Sequence, residues 1–326
     1  MNTSVPLLDV NKLALEFRTR GGTVHALENV NFHVNAGEIV GIVGESGSGK
    51  SILAHALLRI LDPAGRVTAG RAHFDGLDVL AATEAQMRGI RGRKIAMIFQ
   101  NPRAALNPIR KIGRQLEDVL ARHTTAPRRD IKKRAMACLE QVRIPDPARR
   151  YHAYPFELSG GQCQRVMIAL AIVAEPALLI ADEPTTGLDV TTQAVVMELI
   201  RELVHRNRMA AILITHDLAL ASESCDRIVV MHAGHVVETA PTRALFKTPR
   251  HPYTARLIGA TPQDCVDVRT LASIPGALPD LRAARLPPCR FSARCERYAS
   301  ICDQPLPHSV MSQRHTVACW SPLNVA

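Results

Sequence analysis

One glycine-rich segment has the residue types and spacing that bind phosphate groups. It fits the pattern Gly-x-x-x-x-Gly-Lys-Ser/Thr with Gly44, Glu45, Ser46, Gly47, Ser48, Gly49, Lys50 and Ser51. Glycines at these positions let backbone N–H groups surround a phosphate chain, and the start of a following helix adds positive potential. Lys50 is expected to reach the β- and γ-phosphates, and the Ser51 hydroxyl is expected to bind magnesium. The segment therefore predicts a nucleoside triphosphate site.

The elements predicted on either side of this segment are those that a phosphate-binding loop requires. Residues 38–43 read Glu-Ile-Val-Gly-Ile-Val and predict a buried strand, and residues 51–60 predict an apolar helix. The loop then joins a strand to a helix, and the N-terminus of the helix faces the phosphates.

Two adjacent carboxylates end a second apolar strand. Residues 177–181 read Ala-Leu-Leu-Ile-Ala, and Asp182 and Glu183 follow directly. A buried strand rarely ends in two carboxylates unless a cation lies near them. We predict that Asp182 holds magnesium through water and that Glu183 is the general base for the water that attacks the γ-phosphate. Two solvated carboxylates in a turn are the alternative.

A third motif lies between these two in the chain. Residues 158–162 read Leu-Ser-Gly-Gly-Gln and precede a predicted helix at residues 163–174. In this order, the three motifs resemble those of the nucleotide-binding subunits of ATP-binding cassette (ABC) transporters. In that family the third motif closes over the γ-phosphate of the ATP bound to the opposite subunit. The resemblance implies this role, through backbone donors at a helix N-terminus, for Ser159, Gly160, Gly161 and Gln162.

The resemblance extends to four single residues. Gln100 follows a predicted strand at 94–99 and corresponds to the glutamine that senses the γ-phosphate and magnesium while it contacts the permease. Asp189 corresponds to the residue that couples the two ATP sites. His216, in Ile-Thr-His-Asp, corresponds to the switch histidine that contacts the γ-phosphate and orients Glu183. Phe17 is the candidate for stacking on adenine by its spacing, with core packing as the alternative.

Longer strings indicate a branch of the family. Ile-Phe-Gln-Asn-Pro at 98–102, Ile-Ala-Asp-Glu-Pro-Thr-Thr at 180–186 and Arg-His-Pro-Tyr-Thr at 250–254 resemble the dipeptide, oligopeptide and nickel importers, with the dipeptide D-type ATPase closest. Two departures remove no catalytic group: Gly187 replaces a common alanine, and Gln162-Cys163 follows Ser-Gly-Gly where relatives often have a methionine. The implied cargo is a di- or oligopeptide, with nickel and glutathione as alternatives.

Four of the eight cysteines are grouped near the C-terminus, and they are Cys289, Cys295, Cys302 and Cys319. Four thiolates satisfy either a tetrahedral zinc ion or a four-iron, four-sulfur cluster. The first two intervals exceed the roughly two to four residues that are usual in zinc ribbons, which favours the cluster. The pattern also resembles the C-terminal extension of peptide-importer ATPases, some of which bind such a cluster. Zinc and a metal-free site remain the alternatives. The other four are predicted to be buried thiols: Cys138, Cys163, Cys225 and Cys265.

Composition and charge exclude several other classes of protein. Hydrophobic residues make up 47% and charged residues 21% of the 326 residues, as in ordinary globular proteins. Apolar runs are too short to cross a bilayer, and the N-terminus lacks the features of a signal peptide, so a cytoplasmic chain is expected. The net charge of +10 is concentrated in residues 101–150, which contain no Phe, Tyr or Trp. Nucleic-acid binding through base stacking is therefore not expected.

The predicted fold class is α/β: a P-loop NTPase of ABC type with a RecA-like core, an antiparallel β subdomain, a helical subdomain and a Cys-rich C-terminal extension. Residues 1–260 are predicted to form the ATPase domain, with the helical subdomain at about 102–175, and residues 261–326 the extension. The resemblance implies ATP and Mg²⁺ as ligands. It also implies a heterodimer with a second ABC ATPase, two permease subunits and, indirectly, a periplasmic solute-binding protein. The implied location is peripheral, on the cytoplasmic face of a bacterial inner membrane.

Two other functions compete with this one. A soluble ABC ATPase that acts on DNA or ribosomes usually carries two cassettes or a long coiled-coil insertion, and the interval between Ser51 and Ser159 has no sustained heptads. A redox-sensing subunit would use the cysteines to control an ATPase of minor importance. The complete set of catalytic residues argues against this as the main role.

Overall fold

A computed structural model describes residues 5–261, 273–283, 285–307, 309–312 and 314–323. The chain divides into two compact units. The first unit comprises residues 1–82 and 213–326, and the second comprises residues 83–212.

Strands and α-helices within the described residues follow one another along both units. The strands are β1 (Leu8–Thr19), β2 (Gly22–Val34), β3 (Ile39–Val43), β4 (Gly65–Phe74), β5 (Leu77–Asp78), β6 (Ile95–Ile98), β7 (Leu178–Asp182), β8 (Ala210–Thr215), β9 (Arg227–His232), β10 (His235–Pro241), β11 (Ser309–Ser312) and β12 (His315–Val317). The helices are α1 (Lys50–Leu58), α2 (Glu84–Ile90), α3 (Pro102–Ala105), α4 (Ile112–His123), α5 (Arg128–Gln141), α6 (Pro147–Tyr151), α7 (Gly160–Ile172), α8 (Val190–Asn207), α9 (Leu218–Ser224), α10 (Thr242–Lys247) and α11 (Pro252–Gly259).

The first unit contains an antiparallel sheet in the strand order β2-β1-β4-β5. Side chains alternate between the two faces of a strand. Val30, Phe32 and Val34 of β2 are accordingly all buried. These alternate residues therefore form the buried face of β2.

A second sheet of the first unit positions the phosphate-binding segment. In it β3 runs parallel to β9, and all of β3 is buried, as in strands that are covered on both faces. β9 and β10 form a hairpin that turns at Ala233 and Gly234, which both have positive φ. Two such residues give the turn whose twist matches that of the strands. β12 and β11 continue the sheet beyond β10.

The second unit contains β6 and β7, which pair in parallel. Helices α3 to α6 follow β6 without an intervening strand, as the basic and proline-punctuated sequence predicts. In α4 the residues Ile112, Leu116 and Leu120 are buried, and their spacing places them on one helix face.

The strands predicted at 38–43, 94–99 and 177–181 are confirmed to within one residue at each end. The helix after the third motif differs, because α7 begins at Gly160 and not at residue 163. Ser159 caps this helix, and the cap stabilises a first turn that contains both glycines despite their low helix propensity.

No helix in the described part of the chain combines the length and the apolar character needed to cross a bilayer. The predicted domain boundary at residue 261 stays a prediction, because residues 262–272 lie outside the described ranges.

Candidate functional site

The phosphate-binding segment forms a loop between β3 and α1 in the first unit. Gly49 caps α1 in the left-handed conformation, with φ of 99°, and Lys50 is the first residue of the helix. The Lys50 ammonium donates hydrogen bonds to the carbonyl oxygens of Gly44 and Glu45, at 2.8 and 2.9 Å. These bonds hold the Lys50 side chain across the loop that is predicted to bind the phosphates.

Gly44 is required by a close approach of two backbones. Its φ is 153°, and a Cβ at this position would lie 2.1 Å from the carbonyl oxygen of Met231 in β9. Because this neighbour is backbone in a buried strand, no side-chain rotation can relieve the contact. The loop therefore leaves β3 along a path that only glycine can take.

Glu45 is held from two sides by residues of the first unit. Its backbone N–H donates to the Tyr253 hydroxyl at 2.9 Å, and its carboxylate accepts two hydrogen bonds from the Arg294 guanidinium, at 2.8 and 2.9 Å. The His232 ring lies 3.6 Å from the same carboxylate. His232 first, and then Arg294, lower the pKa of Glu45 to about 2 against the opposing effect of burial. The carboxylate is therefore ionised at neutral pH.

In the second unit, β7 ends at the buried Asp182 and Glu183 follows it. Glu183 has φ of 46°, a left-handed conformation that is uncommon for residues with a side chain and is concentrated at functional sites. Its carboxylate accepts hydrogen bonds from the Gln100 amide at 2.9 Å and from the Thr186 hydroxyl at 2.8 Å. The structure thus brings two of the predicted catalytic residues together.

The third motif forms a capped helix start. The Ser159 hydroxyl accepts a hydrogen bond from the Gln162 N–H at 3.3 Å, and the Gln162 side chain accepts one from the Ser159 N–H at 3.1 Å. These reciprocal bonds form a capping box and leave the backbone N–H groups of the two glycines at the helix N-terminus. The arrangement suits an anion, as the sequence predicts.

The predicted coupling residue lies beside this helix start in the second unit. Asp189 caps α8, accepting hydrogen bonds from the Thr192 N–H at 3.0 Å and the Thr192 hydroxyl at 2.7 Å. These bonds to Thr192 lower the pKa of Asp189. A Cβ on Gly161 would lie 3.0 Å from the Thr192 methyl group. The third motif and the start of α8 are thus close neighbours.

His216 and Phe17 belong to the first unit. His216 is exposed directly after β8, and the next residue, Asp217, caps α9. Phe17 lies half-buried in β1, and its ring is so close to Gly65 that a Cβ there would come within 2.8 Å. Their roles at the nucleotide stay predictions.

The four C-terminal cysteines line one small cavity in the first unit. Burial, and then the neighbouring cysteines, raise the pKa of Cys289 to about 11 and that of Cys319 to about 11. No disulfide links the cysteines that the structure describes. No group of three or more His, Cys, Asp or Glu side chains in the described ranges is arranged to hold a metal ion.

The remaining cysteines are buried where they are described. Cys138, Cys163 and Cys225 are buried, as predicted, and Cys265 lies outside the described residues.

Sequence reasoning missed the contacts of Tyr253 and Arg294 with the phosphate loop. The sequence singles out Tyr253 only within the string Arg-His-Pro-Tyr-Thr, and Arg294 lies 249 residues from Glu45. The signal that could have found Arg294 is its position next to Cys295, in a segment already singled out for its cysteines.

The geometry defines the class of protein: a strand, a glycine-rich loop with its lysine and a helix, together with a carboxylate-ended strand, are the parts of a P-loop NTPase. A family model described as ABC transporter matches residues 27–186, and one described as oligopeptide/dipeptide transporter, C-terminal region, matches residues 237–302.

Full-length relatives and solved structures agree with this class. The dipeptide transport ATP-binding proteins DppD of Escherichia coli (strain K12) and Bacillus subtilis (strain 168) are 44% and 42% identical, over 98% and 96% of this chain and 98% and 94% of theirs. The dimeric structure of the ATP-binding cassette MJ0796 in a post-hydrolysis state with ADP and Pi matches with a TM-score of 0.65 and 28% identity, covering 72% of this chain and 99% of that one. The chain belongs to the ATP-binding proteins of ABC transporters, in the branch that carries the oligopeptide/dipeptide C-terminal region.

The predicted ABC-type α/β fold is therefore confirmed, and the chain is an ATP-hydrolysing transporter ATPase that uses ATP and Mg²⁺.

Gly44→Ala is expected to weaken ATP binding, because the methyl group meets the Met231 carbonyl. A backbone cost of about 2 kcal/mol in the loop corresponds to about a 30-fold loss of affinity. Titration calorimetry with MgATP measures it. Gly89→Ala is the control, since nothing lies within 4 Å of a Cβ at this position in α2. Equal affinities for the wild type and Gly44→Ala would contradict the requirement for glycine.

Proposed function

We propose that this chain hydrolyses ATP to power the import of dipeptides or oligopeptides through an ABC transporter. The observation that carries the proposal is the arrangement at the end of β7, where Gln100 and Thr186 orient the Glu183 carboxylate. Similarity to two dipeptide transport proteins over nearly the whole chain supports peptide as the cargo. Nickel and glutathione remain alternative cargoes.

The phosphate-binding loop and the carboxylates that follow β7 have different tasks in ATP hydrolysis. Lys50 leaves the loop carbonyls to bind the β- and γ-phosphates, and the loop N–H groups surround them. When bound, magnesium neutralises charge on the phosphate oxygens, and Ser51, Gln100 and Asp182 are the residues that would hold it.

Glu183 accepts a proton from the water that attacks the γ-phosphorus, and the bond to the leaving ADP oxygen breaks. The products are ADP and inorganic phosphate. His216 is proposed to contact the γ-phosphate and to orient the base.

Two ATPase subunits are needed to complete each site in this proposal. The N-terminus of α7, with Ser159, Gly160, Gly161 and Gln162, donates to the γ-phosphate bound by the partner subunit, and Asp189 links the two sites. The dimeric structure of the ATP-binding cassette MJ0796 supports such a pairing. We propose a heterodimer with a homologous ATPase, docked on two permease subunits and supplied by a periplasmic solute-binding protein. The assembly would place this chain on the cytoplasmic face of a bacterial inner membrane.

Glu183→Gln is expected to slow ATP hydrolysis by at least about 100-fold, because the amide cannot accept the proton. ATP binding should persist, so a closed ATP-bound dimer should accumulate and be visible by size-exclusion chromatography with retained nucleotide. Glu202→Gln is the matched control, since Glu202 is an exposed carboxylate on α8 that pairs with Arg143. Normal turnover by Glu183→Gln would refute the assignment of the base.

Mild-detergent purification of the tagged chain from its own membranes tests the transport function. Mass spectrometry of the retained proteins should find two permeases, a second ABC ATPase and a solute-binding protein. Retention of ribosomal or DNA-bound proteins alone would leave the ATPase chemistry intact and exclude the transport function.

We also propose that the C-terminal cysteines bind a four-iron, four-sulfur cluster. The donor types support the proposal, because four thiols, the number that such a cluster takes, line one cavity and none is held in a disulfide. Among the described residues these thiols are not arranged to hold a metal ion, so binding of the cluster has to bring them closer together. Their raised pKa values mean that the thiols of Cys289 and Cys319 are protonated at neutral pH without a metal, so loading has to release protons. Zinc in the same site is the alternative.

Anaerobically purified protein is expected to contain about four iron and four sulfide ions per chain and a broad visible absorbance. Cys295→Ser should lose most of the iron, whereas Cys138→Ala, a buried cysteine of α5, should keep it. Iron and sulfide readings of zero in the parent protein would overturn the proposal, and stoichiometric zinc would replace the cluster with the alternative metal.

A further inference from the structure

The segment between the first two C-terminal cysteines reaches the phosphate loop through one arginine. Arg294 directly precedes Cys295, and its side chain is only 4% exposed. Its guanidinium donates two hydrogen bonds to the Glu45 carboxylate, and its Nε donates to the Pro275 carbonyl oxygen at 2.7 Å. Five donors in a fixed plane make arginine suited to such a bidentate contact.

The loop residue that Arg294 contacts is also fixed by its backbone. The Tyr253 hydroxyl accepts the Glu45 N–H, and Tyr253 is fully buried in α11. The ring centroids of Tyr253 and Phe291 lie 5.4 Å apart, and Phe291 comes from the same segment as Arg294. The cysteine segment therefore packs against the residue that holds the loop backbone and also pairs with the loop carboxylate.

A buried histidine adds to this cluster. His232 lies at the end of β9, and neither of its ring nitrogens has a hydrogen-bond partner among the described residues. Its ring packs against Tyr253, with ring centroids 4.4 Å apart, and against Phe291, with centroids 5.3 Å apart. One oxygen of the Glu45 carboxylate lies 3.6 Å from Nδ1 of this ring.

A carboxylate in this loop opposes the function of the loop. ATP brings a chain of negative phosphates to residues 44–51, and an uncompensated carboxylate there repels them. The guanidinium compensates this charge. It also restricts rotation of the carboxylate, because both carboxylate oxygens accept hydrogen bonds from it.

We propose that Arg294 is a positioning residue for ATP: it neutralises and orients Glu45, and it thereby links the order of the cysteine segment to nucleotide affinity. This inference rests on the proposed ATP binding at the loop. It does not depend on whether the cysteines bind a metal.

A double-mutant cycle on the full chain tests the inference, with MgATP as the probe. Arg294→Met should raise the Kd for MgATP by about tenfold, because the unpaired Glu45 carboxylate then faces the phosphates. Glu45→Gln alone should lower the Kd, because the Arg294 cation then lacks its carboxylate partner near the phosphates, and the double variant should return to within about threefold of the wild type. Arg294→Lys should restore part of the affinity, since it keeps the charge and loses the bidentate contact.

Two further readouts separate this role from general support of the fold. The loss in Arg294→Met should shrink as salt rises, because ions screen the repulsion. In turnover, KM for ATP should rise while kcat changes by less than about twofold, since Glu183 and its neighbours are untouched.

Arg227→Met is the matched control for a merely structural effect. Arg227 forms a buried bidentate pair with Glu38 at the opposite end of β3 from the phosphate loop. This variant should lower the melting temperature and leave the Kd for MgATP within about twofold of the wild type.

The outcomes are distinguishable. No MgATP binding by the wild type would refute the proposed function itself. Wild-type binding with an unchanged Kd in Arg294→Met, or equal losses in Arg294→Met and the double variant, would overturn the positioning role. If Arg294→Met fails to fold, Arg294→Lys and Glu45→Gln complete the comparison, and additive effects of these two changes would overturn it equally.

Discussion

The first unit is organised around one electrostatic constraint: the N–H groups of residues 44–51 must converge on a polyanion. The buried strand β3 fixes where the loop begins, and the Met231 carbonyl leaves room only for glycine at the first position. Lys50 supplies the positive charge, and its bonds to loop carbonyls keep it in place without a ligand. The one carboxylate of the loop is neutralised from outside by Arg294.

The second unit meets a related constraint with a different device. Two donors and an unusual backbone conformation hold the carboxylate of Glu183, the proposed base, in one direction. The N-terminus of α7 offers backbone donors instead of a charged side chain, and the Ser159–Gln162 capping box keeps the first turn regular. Both devices use preorganised groups, which need little rearrangement when the phosphates arrive.

Most of the fold and the motifs could be predicted from the sequence, because buried strands read as apolar runs and the motifs are contiguous. The strands at 38–43 and 177–181 are examples. The first leads into the phosphate-binding loop, and the second leads to the carboxylates of Asp182 and Glu183. The sequence predicts that α7 begins at residue 163, whereas it begins at Gly160. The reason is that two adjacent glycines argue against a helix unless the serine cap is considered. The Glu45–Arg294 pair could not be predicted, since no local pattern reports a contact between residues so far apart in the chain. Likewise, the role of Glu183 is predicted from its position at the end of an apolar strand and that of Gln100 from resemblance, whereas their direct contact comes from the structure.

The central claim is that ATP turnover by this chain drives the import of peptide. Its most direct test is uptake of a labelled dipeptide into proteoliposomes that contain the purified transporter, with its solute-binding protein outside and MgATP enclosed. The account predicts accumulation of the dipeptide only when ATP is enclosed, and no accumulation of nickel ions. Uptake that is independent of enclosed ATP, or accumulation of nickel in place of the dipeptide, would contradict it.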